Sequence, residues 1–248
     1  MQDNKSMEVR IANAGADRSH PATRAMFNTL DKTNAGIADI LVGANLCFIT
    51  AGMGGGTGTG AAPTIARIAM EKNILTVGIV TIPFSFEGTK RRSSGLYGVE
   101  RLREYTDTLL VIPNDKLLDA STQNTSFLEA FNMVDMVLIN AIKGITALLS
   151  GVGDINVDFA DVQTIMKGMG KAVIGRGVAK GKDRAINAVE DDLHGSLMED
   201  TDIRVAKGIL VHVNGPKDTS AFEIQEAMSL IEDMADEEVE LIWGATFS

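Results

Sequence analysis

The sequence predicts an α/β protein built around a largely parallel β-sheet. Two observations carry this prediction. Short β-rich runs alternate with longer segments of helical period, and the short runs are continuously apolar, as in strands that helices cover on both faces. The chain has 248 residues, 45% of them hydrophobic, which is enough for the core of one large domain or two small ones.

Three strands and two helices are predicted in the first half of the chain. The strands are Leu46–Thr50, Leu75–Ile82 and Thr108–Pro113, each rich in Val, Ile, Leu or Thr. The helices are Thr64–Lys72 and Ser93–Tyr105, and each presents one apolar stripe. This βαβαβ order is typical of a parallel sheet.

A long helix is predicted at Ser126–Ser150, with apolar residues at spacings of three and four. It would measure about 37 Å at the helical rise. Ser126 is a suitable N-cap with Glu129 three residues on, and Gly151 and Gly153 mark the end. Such a helix is expected to lie in the core and to join two lobes.

The last part of the chain is predicted to hold five shorter elements: a helix at Phe159–Met169, a strand near Ala172–Gly177, a strand at Gly208–Val213, a helix at Ala221–Met234 and a strand at Val239–Phe247. The final strand ends within one residue of the last residue. If it lies inside a sheet, its outer neighbour has to come from elsewhere.

Composition excludes several classes of protein. The net charge of −10 disfavours binding to nucleic acid or to an anionic membrane. The single cysteine, Cys47, rules out an internal disulfide, lies in an apolar run and suits a reducing compartment. His20, His194 and His212 are too far apart to have metal-ligand spacing. The polar first residues and the lack of an apolar run of about 20 residues predict neither a signal peptide nor a membrane span, so a cytoplasmic location is expected.

The most informative stretch is the glycine-rich run at residues 51–60, Ala-Gly-Met-Gly-Gly-Gly-Thr-Gly-Thr-Gly. It follows a predicted strand and precedes a predicted helix. Backbone without Cβ atoms approaches a ligand closely, and successive N–H groups at a helix N-terminus form an anion site. The run therefore predicts a phosphate-binding loop, with a merely flexible loop as the alternative.

Two common nucleotide-binding motifs fit this run poorly. A P-loop needs a lysine directly after its glycines, and the next lysine is Lys72. A dinucleotide fingerprint fits Gly56, Gly58 and Ala61, but its acidic partner is expected about 20 residues on. The nearest candidate, Glu87, lies beyond that distance. A nicotinamide-dependent dehydrogenase is therefore disfavoured.

The run Gly54–Gly60 resembles the tubulin signature, and its surroundings resemble the FtsZ family of bacterial, tubulin-like cell-division GTPases. Residues 51–63, 83–88 with Arg91, 112–118 and 156–162 carry the resemblance, in the family's order and at about its spacing. It implies a Rossmann-like parallel-sheet GTPase domain at residues 1–125, a central core helix at 126–150, and a smaller α+β C-terminal domain with the catalytic loop at 151–248.

The resemblance also implies GTP or GDP as the ligand, accompanied by Mg²⁺. The residues it assigns to the nucleotide are Gly54, Gly55, Gly56, Thr57, Gly58 and Thr59 for the phosphates, Glu87 and Arg91 for the ribose and phosphate side with Thr81 and Asn114 nearby, and Phe131 and Asp135 for the guanine. An aromatic ring stacks on a purine, and a carboxylate one helical turn away accepts the N–H donors that distinguish guanine. Taken alone, Phe131 would be a core residue and Asp135 a solvated one.

Asn156, Asp158 and Asp161 lie in a loop that enters a predicted helix. By residue type alone, Asp158 is an N-cap and Asp161 a first-turn residue that the helix dipole stabilises. The resemblance implies instead that this loop enters the GTP site of the next subunit, where its carboxylates position the attacking water. Both interpretations stay open from the sequence.

The chain departs from the family pattern at both ends. The family's first strand and first glycine-rich loop have no counterpart upstream of Met7, and only Ala14–Asp17 faintly resembles the next phosphate loop. The family also continues past Phe247 with a further strand and a tail. We therefore expect both domains to lack a strand, and the parallel sheet to have an exposed edge.

Two functions remain. The first is a self-assembling cytoskeletal GTPase of cell division, a head-to-tail homopolymer in the septum ring at midcell that hydrolyses GTP at the subunit interface, with full-length FtsZ and division proteins as further partners. The alternative is a chain of the same family impaired in nucleotide binding, which caps or co-assembles with full-length filaments. Neither function involves nucleic acid or direct membrane insertion.

Overall fold

The computed structural model describes residues 7–9, 36–119, 125–149, 153–193 and 203–248. The chain divides into two compact units, one of Met1–Leu138 with Lys167–Ala172 and the other of Ile139–Met166 with Val173–Ser248. The boundary falls inside a long helix, so each unit contains part of it.

The first unit is an α/β structure. Its described strands β1 (Met7–Val9), β2 (Leu46–Gly52), β3 (Leu75–Ile82), β4 (Thr108–Pro113) and β5 (Gly170–Ala172) form one sheet in that order. Every pairing in it is parallel. Its helices are α1 (residues 36–40), α2 (Gly56–Glu71), α3 (Thr89–Arg103), α4 (Asn114–Asp119) and the first half of α5 (Phe127–Leu149), with a 3-10 turn at Ser85–Glu87. The predicted fold class is confirmed.

The predicted core of this unit is also found. All eight residues of β3 are buried, as expected for a central strand with continuous apolar sequence. Helix α2 covers the sheet with Ile65, Ile68 and several alanines. Cys47 lies in the same core, and burial raises the pKa of its thiol to about 11, so it stays protonated and inert.

Two predictions at the edges of this sheet are wrong. The sheet was expected to lack its first strand, but β1 pairs with β2 at Cys47, Phe48 and Ile49. A three-residue strand is too short to show an apolar period. The strand expected near Ala172–Gly177 is instead β5, Gly170–Ala172. Residues 173–179 lie outside any strand, and Gly175 and Gly177 pack against the helix at Arg184–Leu193.

The second unit contains the rest of α5, helices α6 (Phe159–Met166), α7 (Arg184–Leu193) and α8 (Ala221–Met234), and the parallel strands β6 (Gly208–Gly215) and β7 (Glu240–Phe247). Helix α8 has the predicted bounds and packs Ile224, Met228 and Ile231 against the β6–β7 sheet. Ser220 caps it, since the Glu223 N–H donates to Ser220 Oγ and the Ser220 N–H to Glu223 Oε2.

Helix α5 keeps the predicted cap at Ser126, where Glu129 N–H and Ser126 Oγ lie 3.3 Å apart. Hydrogen bonds from Ser126 lower the pKa of Glu129. By length and composition α5 is also apolar enough to cross a membrane, contrary to the expectation from the apolar runs. Glu129, Asp135 and Lys143 lie exposed along it, as on an amphipathic helix of a globular unit.

Asp192, on the last turn of α7, is a half-buried carboxyl group with one buried oxygen atom. Its Oδ1 atom has no hydrogen-bond partner among the described residues, and a Cβ atom at Gly175 would overlap it. The neighbouring Asp191 accepts a hydrogen bond from the Val178 N–H. Burial and, to a smaller extent, the charge of Asp191 raise the pKa of Asp192 to about 6. The Asp192 carboxyl group therefore stays protonated to a higher pH in the folded chain than in the unfolded chain.

We expect Asp192 to make folding stability depend on pH. Because the pKa rises from 3.8 to about 6 on folding, the contribution of Asp192 to the free energy of unfolding is greatest below pH 3.8 and is lost as the pH rises through about 6. Asp192→Asn should remove that fall and stabilise the chain at pH 7 by about 1–2 kcal/mol, since partial exposure reduces the full effect.

Urea unfolding between pH 4 and pH 8 measures this effect, with Glu190→Gln on the same helix as the matched control. A fall in stability that survives in Asp192→Asn would show that another group causes it.

Candidate functional site: the carboxyl edge of the first unit's sheet

The glycine-rich run forms a loop of only three residues. Strand β2 ends at Gly52 and α2 begins at Gly56, with Gly55 as an extended N-cap. The predicted start of this helix at Thr64 is therefore too late. Glycine is a poor helix former, and residues 56–63 show no periodic apolar pattern that would have indicated a helix. Gly56, Thr57 and Gly58 occupy the first turn, where amide N–H groups have no partner within the helix. Such an N-terminus is suited to an anion.

Gly54 holds this loop in place. Its φ of +96° is left-handed, and a Cβ atom there would lie 2.6 Å from the Arg91 carbonyl oxygen and 2.7 Å from Pro83 Cγ. Its N–H donates to Thr59 Oγ1 at 2.9 Å. The loop therefore lies directly against the start of α3, and only glycine fits at its tip.

The first turns of α2 also press closely on the strand before them. A Cβ atom at Gly58 would lie 2.5 Å from the Gly52 carbonyl oxygen, so this position brings helix and strand together. The side chains of Thr57 and Thr59 are buried beside it. The six residues assigned to phosphates thus lie together in one loop and one helix start.

Thr81 lies near the carboxyl end of β3, and Asn114 directly follows β4. Both are buried, and the Met53 N–H of the glycine loop donates to the Thr81 carbonyl oxygen at 2.9 Å. Asn114 Oδ1 has no hydrogen-bond partner among the described residues. Ligands of open α/β sheets bind at this edge, and a buried acceptor without a donor is suited to a hydroxyl or an N–H of a ligand.

Glu87 and Arg91 form an ion pair beside the loop. Glu87 Oε2 lies 3.2 Å from Arg91 Nε, and Glu87 Oε1 accepts a hydrogen bond from the Phe84 N–H at 2.9 Å. Since Arg91 also contacts Gly54, the pair connects the glycine loop to the segment that follows β3.

Asp115 fixes that segment from the other side, a role that no sequence motif indicated. Its carboxylate accepts from the Ser85 N–H, Ser85 Oγ and Arg92 Nη1 at 2.6–2.9 Å. Burial opposes the charge, but the hydrogen bonds from Ser85 and Arg92 outweigh it and lower the pKa of Asp115. The carboxylate stays ionised and ties the 3-10 turn to α4.

Phe131 and Asp135 lie one turn apart on α5, and Asp135 is exposed. The Phe131 ring contacts Phe84 edge-on, with centroids 5.2 Å apart. Phe84 follows Pro83, which touches Gly54. Contacts within the first unit therefore link the glycine loop to the residues predicted to bind guanine. Phe84 was not among the predicted site residues, because only the fold brings it to α5.

The predicted catalytic loop lies in the second unit and is anchored to β7. Ile155 and Ala245 exchange two backbone hydrogen bonds, and the Phe247 N–H donates to Asp154 Oδ2 at 2.7 Å. Asn156 is exposed, and its Nδ2 atom donates to the Gly153 carbonyl oxygen at 2.8 Å. The loop thus has a fixed backbone and an exposed polar tip.

Asp158 and Asp161 lie at the start of α6, and both carboxylates are exposed. The Asp158 carbonyl oxygen accepts from the Asp161 and Val162 N–H groups at 3.2 Å. Asp158 Oδ1 lies 3.4 Å from the Ala160 nitrogen, which is long for a cap. Asp158 therefore makes at most a weak N-cap hydrogen bond, and the carboxylates of Asp158 and Asp161 are both accessible.

Among the described residues, no three His, Cys, Asp or Glu side chains are grouped so that they would hold a metal ion. Magnesium that accompanies a nucleotide takes most of its ligands from phosphate oxygens and water, with one or two from the protein. The described residues therefore fit such an ion only together with bound phosphates.

Two family domains match the chain. The GTPase domain of the Tubulin/FtsZ family matches residues 12–122, and the C-terminal domain of the FtsZ family matches residues 170–248. These matches include both the glycine loop and the β6–β7 sheet. The class of protein that fold and loop define is therefore the tubulin-like one.

Similarity to individual proteins shows which branch of the tubulin-like class the chain resembles. A cell division protein FtsZ from Magnetospirillum gryphiswaldense is 48% identical over 84% of this chain and 37% of its own length. An FtsZ dimer from M. jannaschii is 41% identical, with a TM-score of 0.85 over 91% of this chain and 65% of that one. A mutant FtsZ from M. jannaschii is 40% identical, with a TM-score of 0.85 over 91% of this chain and 68% of that one. The chain belongs to the tubulin/FtsZ family, and spans little more than a third of the curated relative's length.

Proposed function

We propose that the chain binds GTP and hydrolyses it while assembling with copies of itself, as a cytoskeletal GTPase of cell division. The observation that carries this proposal is the glycine loop of Met53–Gly55, which leads from a buried parallel strand directly into the N-terminus of α2. Membership of the tubulin/FtsZ family supports it. A chain that caps filaments without binding nucleotide has no physical need of such a loop.

The phosphates would lie at Gly54–Thr59, where the first-turn N–H groups of α2 and the helix dipole favour negative charge. Gly54 supports this, because the Arg91 carbonyl oxygen and Pro83 Cγ occupy the place that a Cβ atom would need, so the tip of the loop is bare backbone. Glu87 and Arg91 would hold the ribose and phosphate side. Thr81 and Asn114 would complete this edge, since Asn114 Oδ1 has no hydrogen-bond partner in the part of the chain that the structure describes. When bound, Mg²⁺ would supply charge neutralisation on the phosphates.

The guanine would stack on Phe131, and Asp135 would accept its N–H donors. The two residues are one helical turn apart on α5 and belong to the same unit as the glycine loop. A carboxylate accepts from both N–H groups on this edge of guanine, whereas adenine presents an unlike pattern. Asp135 is therefore the proposed determinant of base preference.

Hydrolysis would need two subunits. The exposed Asn156, Asp158 and Asp161 would enter the nucleotide site of the next subunit and orient the water, because phosphoryl transfer depends more on positioning than on a strong base. A head-to-tail contact of this kind is heterologous and need not close, and an open one yields a filament. The proposed domains of the chain are a GTPase domain at 1–125, a core helix at 126–150 and a C-terminal domain at 151–248.

The proposed setting is the cytoplasm at the division site, with full-length FtsZ and other division proteins as further partners. Cell division is the role in the name of the M. gryphiswaldense relative. Self-association is supported by the solved FtsZ dimer.

Asp135→Ala tests the proposed nucleotide site. We expect GTP affinity to fall by about 1.5–3 kcal/mol, the range for a hydrogen bond to a charged group, while ATP affinity changes little. Equilibrium dialysis measures both, and Lys143→Ala, at an exposed position on the same helix, is the control. If the wild-type chain binds no GTP, the proposed function fails. If Asp135→Ala keeps the full preference for GTP over ATP, the guanine role fails.

A further inference from the structure

Four phenylalanine rings form one continuous cluster in the first unit. Phe84 and Phe86 are stacked with centroids 4.8 Å apart and an angle of 12° between their planes. Phe127 lies 5.4 Å from Phe86 and 4.9 Å from Phe131. The contact of Phe131 with Phe84 closes the ring of four. The cluster joins the 3-10 turn after β3 to the first turns of α5.

The four rings differ sharply in exposure. Phe84 is fully buried, whereas Phe86 is 54% and Phe127 67% exposed. Two large apolar rings thus touch each other at the surface, and the buried Phe84 fixes the tilt of Phe86. Contiguous exposed aromatic surface of this kind is typical of a binding site. We call Phe86 and Phe127 the aromatic wall.

We propose that the aromatic wall stacks on the purine base of the bound nucleotide and supplies affinity that does not depend on which purine is bound. This inference rests on the proposed function and extends it to two residues outside the predicted site. Three features of the wall select a base as its occupant.

The first feature is the arrangement on α5. Phe127, Phe131 and Asp135 follow one another at intervals of four residues, so they share one face of the helix. The second is the contact between the Phe127 and Phe131 rings, since a base stacked on Phe131 then lies beside Phe127. A flat, apolar ring with polar edges fits this face, because aromatic rings interact with its plane and Asp135 accepts at its edge.

The third feature is the connection to the phosphate side. Phe86 directly precedes Glu87, whose carboxylate pairs with Arg91, and Arg91 contacts Gly54 in the glycine loop. The wall is thus joined through short contacts to both the phosphate and the ribose residues. A ligand with a base, a sugar and a phosphate chain matches this order of residues.

Stacking and hydrogen bonding then have separate roles. Every purine presents a π-face, so the wall contributes equally to GTP, ITP and ATP. Asp135 distinguishes among them through its edge contacts. Substitutions in the wall should therefore change all three affinities by one factor, whereas Asp135→Ala changes their ratio.

The test compares Phe86→Leu, Phe127→Leu and the double variant with the wild-type chain. Leucine keeps the apolar contact but removes the π-face, so each single change should weaken binding of GTP and of ITP about three- to ten-fold. Inorganic triphosphate, measured by competition, should bind all variants equally. Phe127→Tyr keeps a ring and should retain wild-type affinity. Phe222→Leu, at an exposed position on α8, is the matched control.

Unchanged GTP affinity in the double variant would overturn the aromatic wall while leaving the proposed function in place. An equal loss for triphosphate would also overturn it, because the phosphate site would then be disturbed. Absence of GTP binding in the wild-type chain would reject the proposed function and the wall together.

Discussion

Gly54→Ala is expected to lower the free energy of unfolding by about 3 kcal/mol and to abolish nucleotide binding. A positive φ accounts for about 1–2 kcal/mol of this in a residue with a Cβ atom. The rest comes from overpacking, since the new atom would lie 2.6 Å from the backbone oxygen of Arg91. Backbone cannot yield as a flexible side chain does. Relaxing this contact displaces the three-residue loop from the start of α3, so the phosphate site is lost as well.

Gly43→Ala separates the two contributions. Gly43 has a φ of +80°, but nothing lies within 4 Å of the place that a Cβ atom would take, so only the backbone strain of about 1–2 kcal/mol should appear. Urea unfolding gives the free energies, and equilibrium dialysis gives GTP binding. Equal losses in the two variants would show that the packing of Gly54 against Arg91 contributes nothing.

The helices and strands could be predicted from the sequence where apolar residues recur at a regular spacing. Strands β3 and β4 and helix α8 have the predicted bounds because burial on both faces, or on one stripe, leaves a clear period. Glycine removes that period. Helix α2 therefore begins before the predicted residue, and the run after Ala172 is a loop instead of a strand.

Only some of the residues of the candidate site could be predicted from the sequence. The glycine run is a local motif that the sequence shows directly, whereas Glu87 and Phe131 are assigned to the site only through the resemblance to the family. Phe84, Phe86 and Phe127 meet across about 40 residues, and no local pattern relates them. Asp115 likewise acts on Ser85, which lies 30 residues away. Tertiary contacts of this kind follow from the register of β3 and β4, which sequence patterns do not specify.

Asp161→Ala is expected to reduce GTP turnover at least 100-fold and to leave GTP affinity unchanged. The carboxylate is exposed at the first turn of α6, where the helix dipole contributes about 0.3–1 kcal/mol to stability. Loss of that contribution does not unfold the chain. Loss of the group that is proposed to orient the water should remove a factor of about 10²–10⁴ in rate. Turnover per protomer, measured against protein concentration, should rise steeply in the wild type if the site needs two subunits, as proposed.

Mixing variants decides whether the site is shared. Asp161→Ala keeps the proposed nucleotide site, and Asp135→Ala keeps the proposed catalytic loop. If the loop of one subunit completes the site of the next, a mixture contains interfaces with both parts intact, and turnover at low GTP should exceed that of either variant alone. Glu226→Ala, an exposed carboxylate on α8, should behave as the wild type. A mixture no more active than its components would place water activation within a single subunit, because complementation requires each chain to supply the residue its neighbour lacks.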